Sequence, residues 1–254
     1  MAPVIATMPK HSMIMSLCAS AFLVVLFSCG SEATDTMQPS PTVKTAKIMP
    51  LGDSITESSD GLPTYRYYLW KSTLAKGYRI DFVGSKRGVL NGRPLHDDFD
   101  QDHEGHSGWR ADEILAQIPQ WARASSPDFV LLLAGHNDLC QGQDVASTVN
   151  DLAAIVDALR AVNGNVVVLV AALTASALPC HVQIPLLNAQ LPAMVNAKST
   201  PQSPVLLVDQ YTGFTPATMT FDGVHPNAAG QSQIGERWFK DLAPLLDTFF
   251  AAAP

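Results

Sequence analysis

The sequence predicts a three-layer α/β/α sandwich built on a five-stranded parallel sheet. Two observations carry this expectation. Segments such as Phe129–Ala134 and Val166–Ala172 are apolar with no polar alternation, as strands covered on both faces must be. Such segments also interleave with amphipathic stretches long enough for helices, and strand–helix–strand units joined by right-handed crossovers build a parallel sheet.

Taken in order, Lys47–Leu51 reads as the first strand and Thr64–Ala75 as a helix closed by Gly77. Ile80–Gly84 is the next strand, and Ser85–Ser107 a long polar loop. Ala111–Arg123 reads as a helix with Ile114, Leu115, Ile118 and Trp121 on one face. Phe129–Ala134 is a strand, Val145–Val162 a helix and Val166–Ala172 a strand. Leu186–Asn196 is helical, Val205–Val208 a strand, and Ala228–Phe249 the closing helix. Trp121 and Trp238 fall at helical spacing within apolar faces and belong to the core.

The chain has 254 residues, 47% hydrophobic and 15% charged, which is too apolar for disorder and long enough to bury a core without staples. Its 16 Lys and Arg against 23 Asp and Glu give a net charge of -7, and no basic run occurs. A partner bound through its phosphates is therefore excluded, nucleic acid above all.

Lys10 and His11 precede an apolar run, Met13–Phe27, that is short of the ~20 residues of a membrane-spanning helix. Residues 1–28 read as a signal peptide. The run ends in Leu26-Phe27-Ser28-Cys29, which resembles a bacterial lipoprotein processing site; on that reading Cys29 is lipidated and becomes the mature N-terminus. The alternative is an ordinary secretory peptide with an incidental cysteine. Residues 29–45 are rich in Ser, Thr and Pro and read as a tether, leaving residues 46–254 as one domain. The expected product is an exported monomer, touching a membrane only through a lipid anchor.

In parallel α/β sheets the chemistry lies beyond the carboxyl ends of the strands. Three polar groups satisfy that rule. Ser54, in Gly52-Asp53-Ser54, directly follows the first strand. Asn137, in Gly135-His136-Asn137-Asp138, directly follows Phe129–Ala134. Asp222 and His225 share the turn before the last helix, where the carboxylate can orient the imidazole and leave it poised as a base. Each signal alone is a common turn motif; their joint order carries the inference.

These residues also resemble a known family. Gly52-Asp53-Ser54-Ile55, Gly108, Gly135-x-Asn137-Asp138 and Asp222-x-x-His225 are similar to the four blocks of the SGNH (GDSL-type) hydrolases, across about residues 46–245. His136 stands where Thr is usual. Within that superfamily, Ile80–Gly84 and Asp102–Trp109 look like carbohydrate esterase family 3, whose members resemble acetylxylan esterases. The resemblance implies a flavodoxin-like sandwich and a serine esterase of an acetylated polysaccharide. Ser54 would be the nucleophile, His225 the base and Asp222 its orienter. The N–H groups of Ser54 and Gly108 and the Asn137 amide would form the oxyanion hole. No cofactor or metal is required. An esterase of lipid acyl chains and a non-catalytic carbohydrate-binding lipoprotein are the alternatives.

Several neighbours are candidates of a second rank. Arg66, His106 and Trp109 could line a substrate site, although Arg66 could equally pair within the fold and Trp109 anchor its loop. Ser107 sits in a near Gly-x-Ser-x-Gly pattern, but Trp109 replaces the closing glycine and no strand precedes it. His96–His103 is dense in potential ligands without zinc or EF-hand spacing and reads as a solvated acidic loop, with a structural Ca²⁺ site as the alternative. Cys140 and Cys180 both follow strands at the same sheet edge, where a disulfide is geometrically feasible and export would preserve it.

Overall fold

The computed structural model describes residues 44–252, so the expected signal peptide and the lipidation of Cys29 lie outside the described residues. Seven strands form: β1 (Ala46–Gly52), β2 (Ile80–Phe82), β3 (Lys86–Arg87), β4 (Asp102–Gly105), β5 (Phe129–Leu133), β6 (Val167–Ala172) and β7 (Val205–Asp209). The helices are α1 (Ser54–Glu57), α2 (Tyr65–Ala75), α3 (Ala111–Ser125), α4 (His136–Cys140), α5 (Val145–Val162), α6 (Ile184–Lys198), α7 (Pro216–Met219) and α8 (Ala228–Ala251).

Strands β2, β1, β5, β6 and β7 pair in parallel, which is the expected five-stranded sheet. Every residue of β5 is buried, as is all of β6 beyond Val167, because helices cover both faces. Helix α2 packs on α8, while α3, α5 and α6 pack on one another. Right-handed crossovers in opposite directions from β1 place these two groups on opposite faces. Side chains cap the starts of α2, α5 and α8: Thr64 accepts from Arg66 N, Asp144 from Ser147 N, and Asn227 from Ala229 N and Gly230 N.

The structure corrects the polar loop 85–107, which holds two strands. Strand β4 continues the sheet beside the end of β1, with Leu51 opposite Glu104 and Gly52 opposite Gly105, and β3 pairs antiparallel to β4. Among the described residues the sheet therefore has seven strands, the expected five and these two. A strand reading Asp-His-Glu-Gly can be buried because its polar groups, His103 Nε2 excepted, find partners inside the protein. Glu104 accepts from Ser85 N at 2.7 Å and from Ser85 Oγ at 2.6 Å, and His103 Nδ1 accepts from Gly105 N at 2.9 Å. Gly52 also lies opposite Leu133 of β5. The carboxyl ends of β4, β1 and β5 thus align side by side.

Candidate active site

Three segments leave that common edge. Asp53, at the end of β1, caps α1 by accepting from Ile55 N at 2.9 Å, which turns the chain sharply and puts Ser54 on the first helical position. Beyond β4, residues 106–109 form a turn in which Trp109 N donates to His106 O at 3.2 Å, with Gly108 at φ +83°. Beyond β5, α4 carries Asn137.

The fourth contribution comes from the 220–226 turn before α8. Asp222 Oδ1 accepts from His225 N at 2.7 Å and Val224 N at 3.0 Å, and its Oδ2 accepts from His225 Nδ1 at 2.6 Å. A proton on Nδ1 leaves Nε2 with a free lone pair, and Ser54 Oγ lies 2.9 Å from it, placed to donate. Burial pushes the Asp222 carboxyl up, but the hydrogen bonds from His225 and Val224 outweigh it and hold the net pKa below the ordinary value. Asp222 is therefore held ionised against the His225 ring.

Ser54 and His225 open onto a cavity of about 490 Å³. Gly108, Asn137, Ser107, Gln231, Leu62, Leu90, Phe221 and Pro226 are among its walls. The Asn137 amide donates one hydrogen to Trp109 O at 3.0 Å, leaving its second N–H free for another acceptor. Among the described residues, neither Ser54 N nor Gly108 N donates a hydrogen bond within the protein. Three free N–H donors and a hydroxyl hydrogen-bonded to an imidazole thus converge on one cavity. That set can activate a hydroxyl and hold the oxyanion of an acyl-transfer intermediate.

The residues of second rank fall elsewhere. Arg66 is fully buried and its guanidinium donates to four carbonyls, those of Thr56 (3.0 Å), Glu57 (3.1 Å), Gln101 (2.7 Å) and Gly88 (2.5 Å). Burial lowers its pKa to about 10, which leaves it charged. It ties α1 to the 88–101 segment and takes no part in the cavity wall. His106 hydrogen-bonds Glu104 Oε1 at 2.6 Å and stacks on Trp121 with ring centroids 4.4 Å apart. Trp109 tilts against that same His106 ring at 4.6 Å and packs on the core, so both anchor the loop instead of lining the cavity.

Ser107 does line the cavity, but its hydroxyl donates to Glu57 Oε2 at 2.6 Å, a partner that cannot serve it as a nucleophile's base at this site. Asp138 is structural: its carboxylate accepts from Ala111 N, at the start of α3, at 3.0 and 3.2 Å, and burial pushes its pKa up to about 6. The acidic loop is also engaged locally. Asp98 pairs with Lys71 at 2.5 Å, Asp102 with Arg87 at 2.9 Å, and Asp100 accepts from Phe82 N at 2.8 Å. Cys140 and Cys180 form the disulfide, joining the end of α4 to a short turn at Pro179–His181. Leu62, Leu90, Phe221 and Gln231 carry no sequence signal for the site, because only the folded chain brings them to it.

The chain matches the GDSL-like lipase/acylhydrolase family over residues 51–233. It is similar to a crystal structure of a carbohydrate esterase family 3 protein from Talaromyces cellulolyticus, at TM-score 0.73 and 32% identity, covering 80% of this chain and 99% of that one. A Clostridium thermocellum family 3 carbohydrate esterase aligns at TM-score 0.69 and 33% identity, covering 81% and 99%. Among curated proteins, a multidomain esterase of Ruminococcus flavefaciens is 28% identical over 234 residues. That alignment takes in 80% of this chain but only 29% of the relative.

Proposed function

Since the chain belongs to the GDSL-like lipase/acylhydrolase family, we propose that it is an exported serine esterase removing O-acetyl and other short acyl groups from a polysaccharide. The observation that carries the reading is the continuous hydrogen-bond chain Asp222–His225–Ser54, opening on a cavity walled by Gly108 and Asn137. In the first step Ser54 Oγ attacks the ester carbonyl carbon as its proton passes to His225 Nε2. The carbonyl oxygen becomes an anion held by Ser54 N–H, Gly108 N–H and the free Asn137 N–H. Collapse expels the sugar oxygen, which takes the proton back from His225. Water, deprotonated by the same imidazole, then releases the acid from Ser54.

The polysaccharide reading draws support from where the leaving group must lie. It receives its proton from His225 Nε2, so it sits on the His225 side of the cavity. There the Phe221 ring stacks on the His225 ring at 5.8 Å and an interplanar angle of 17°, with Phe221 itself 53% exposed. An exposed aromatic face beside the leaving oxygen suits the apolar face of a pyranose ring. The acetyl preference draws support from the family 3 carbohydrate esterases this chain resembles. Export and lipidation at Cys29 rest on the leader sequence, and the Cys140–Cys180 disulfide suits an oxidising compartment.

The test compares acetylated xylan, p-nitrophenyl acetate and p-nitrophenyl octanoate on the wild-type protein and on Ser54→Ala. The expected result is preference for the acetyl substrates and a fall in kcat on the order of 10⁵-fold in Ser54→Ala. Octanoate as the best substrate would point instead to lipid acyl esters. A Ser54→Ala protein retaining a tenth of the wild-type rate would overturn the serine mechanism.

A further inference from the structure

We propose that Glu57 is a positioning residue of the oxyanion hole, setting the peptide that presents the Gly108 N–H through its hydrogen bonds to Ser107. The inference rests on the esterase reading above. Glu57 is buried on the same single helical turn that begins with Ser54. Its Oε2 accepts from Ser107 N at 2.8 Å and Ser107 Oγ at 2.6 Å, while Oε1 pairs with Lys86. The two segments touch: a Cβ on Gly105 would come within 2.6 Å of Glu57 N, so glycine there lets the strand end lie directly against α1.

The Gly108 N–H belongs to the peptide between Ser107 and Gly108. The peptide before it is fixed by Ser107 N donating to Glu57, and the peptide after it by Gln141 Nε2 donating to Gly108 O at 2.8 Å. Between two pinned neighbours, the central peptide has its direction determined while its own N–H stays free for the oxyanion. Gly108 at φ +83° in the third position of the 106–109 turn, with Ser107 not in the left-handed region, is the type II arrangement. Type I differs by a flip of that central peptide, which would turn the N–H away from the cavity. Release of Ser107 therefore frees the flip. One turn of helix carries both the nucleophile and the clamp on an oxyanion donor, so the distance between them is set locally.

Two variants separate this role from a merely structural one. Glu57→Gln drops the charge but keeps an acceptor at the same reach, and half-buried Lys86 can turn to solvent. Glu57→Asp keeps the charge but withdraws the acceptor by one methylene. With p-nitrophenyl acetate, Glu57→Asp is expected to lose about 100-fold in kcat with KM nearly constant, and Glu57→Gln no more than about threefold. The affinity of a trifluoromethyl ketone, which forms an oxyanion on Ser54, should weaken in parallel with kcat. The reverse order, equal losses, or a Glu57→Gln chain that fails to fold would overturn the proposal, because charge or packing would then be what the site needs. An active Ser54→Ala protein would instead sink the esterase reading itself, which keeps the two failures distinct.

Discussion

His136 Nδ1 lies 3.8 Å from Asp53 Oδ2, and neither atom has a hydrogen-bond partner. Both side chains are buried, one next to Ser54 in the chain and the other next to Asn137. His136 Nε2 lies 3.2 Å from both the carbonyl and the hydroxyl of Thr174; donating to the carbonyl, it leaves Nδ1 with a lone pair towards Asp53. Two acceptors face to face call for a proton on one of them. Burial raises Asp53 to about 7, against hydrogen bonding from Ile55 and the charge of His225, and burial with nearby His181 lowers His136 to about 3. Between about pH 3 and pH 7 the pair is thus carried as a neutral acid beside a neutral imidazole.

The consequence is a specific pH dependence. Asp53 has a folded pKa raised from 3.8 to about 7, so the stability it contributes is full below pH 4 and lost as pH rises towards 7. His136, lowered from 6.5 to about 3, slopes the opposite way across nearly the same window, and the two largely cancel. Asp53→Asn keeps the cap on Ile55 and removes one slope. The variant's stability relative to wild type should therefore climb by a few kcal/mol, on the order of three pKa units, between pH 4 and 7 and then level off. Urea unfolding across that range measures it; parallel curves for the two proteins would refute the neutral pairing.

Gly108 supplies the second prediction. A Cβ there would meet nothing within 4 Å, so crowding inside the protein is not what demands glycine; the φ of +83° is. Gly108→Ala should fold with a loss of about 1 kcal/mol while its turn relaxes and the peptide N–H rotates away. The expected kcat is about 100-fold lower with little change in KM. A variant with wild-type kcat would show that Gly108 N–H does not bind the oxyanion.

Phe221 tests the leaving-group side. Phe221→Ala should lower kcat/KM for acetylated xylo-oligosaccharides by about fivefold to tenfold, the scale of one aromatic stacking contact. Ethyl acetate, which has no ring to stack, should change far less, and Phe221→Trp should restore the sugar ester. Equal effects on both esters would mean that Phe221 only supports His225.

Much of this arrangement is legible in the chain itself, and the exceptions share a cause. The helix Val145–Val162 is legible because Asp144 caps it and its apolar period is regular. Ser54 and Asn137 are legible because each directly follows a strand, and Asp222 and His225 because a carboxylate and an imidazole three apart on one turn can pair, and both signals need only local sequence. Strand β4 is not legible because Asp102–Gly105 is polar, and its burial depends on Ser85 and His106. Glu57 and Gln141 act on residues 107 and 108 across separations of 50 and 33 positions, so no local pattern reveals them. Arg66 misled for the complementary reason: a cation near a nucleophile reads as a ligand until four carbonyls are found around it.

The Cys140–Cys180 bridge connects covalent structure to rate. Cys140 ends α4, the helix that carries Asn137, and Gln141, which holds Gly108 O, is the next residue. From the other end of the bridge, His181 Nε2 donates to His136 O at 3.0 Å, so α4 is gripped at both its first and last residues. Closing a 40-residue separation contributes about 3–4 kcal/mol on the chain-entropy account. Cys140→Ser/Cys180→Ser should therefore lower the melting temperature and also reduce kcat by about tenfold, because Asn137 and Gly108 lose a common support. Gln141→Ala, with the bridge intact, should reproduce part of the kcat loss with a much smaller drop in melting temperature. Reduction of the wild-type protein, done with EDTA present because the freed thiols and His181 would lie within 4.8 Å of one another, should match the double variant. A lower melting temperature with unchanged kcat well below the transition would show that the bridge stabilises the fold without steadying the oxyanion donors.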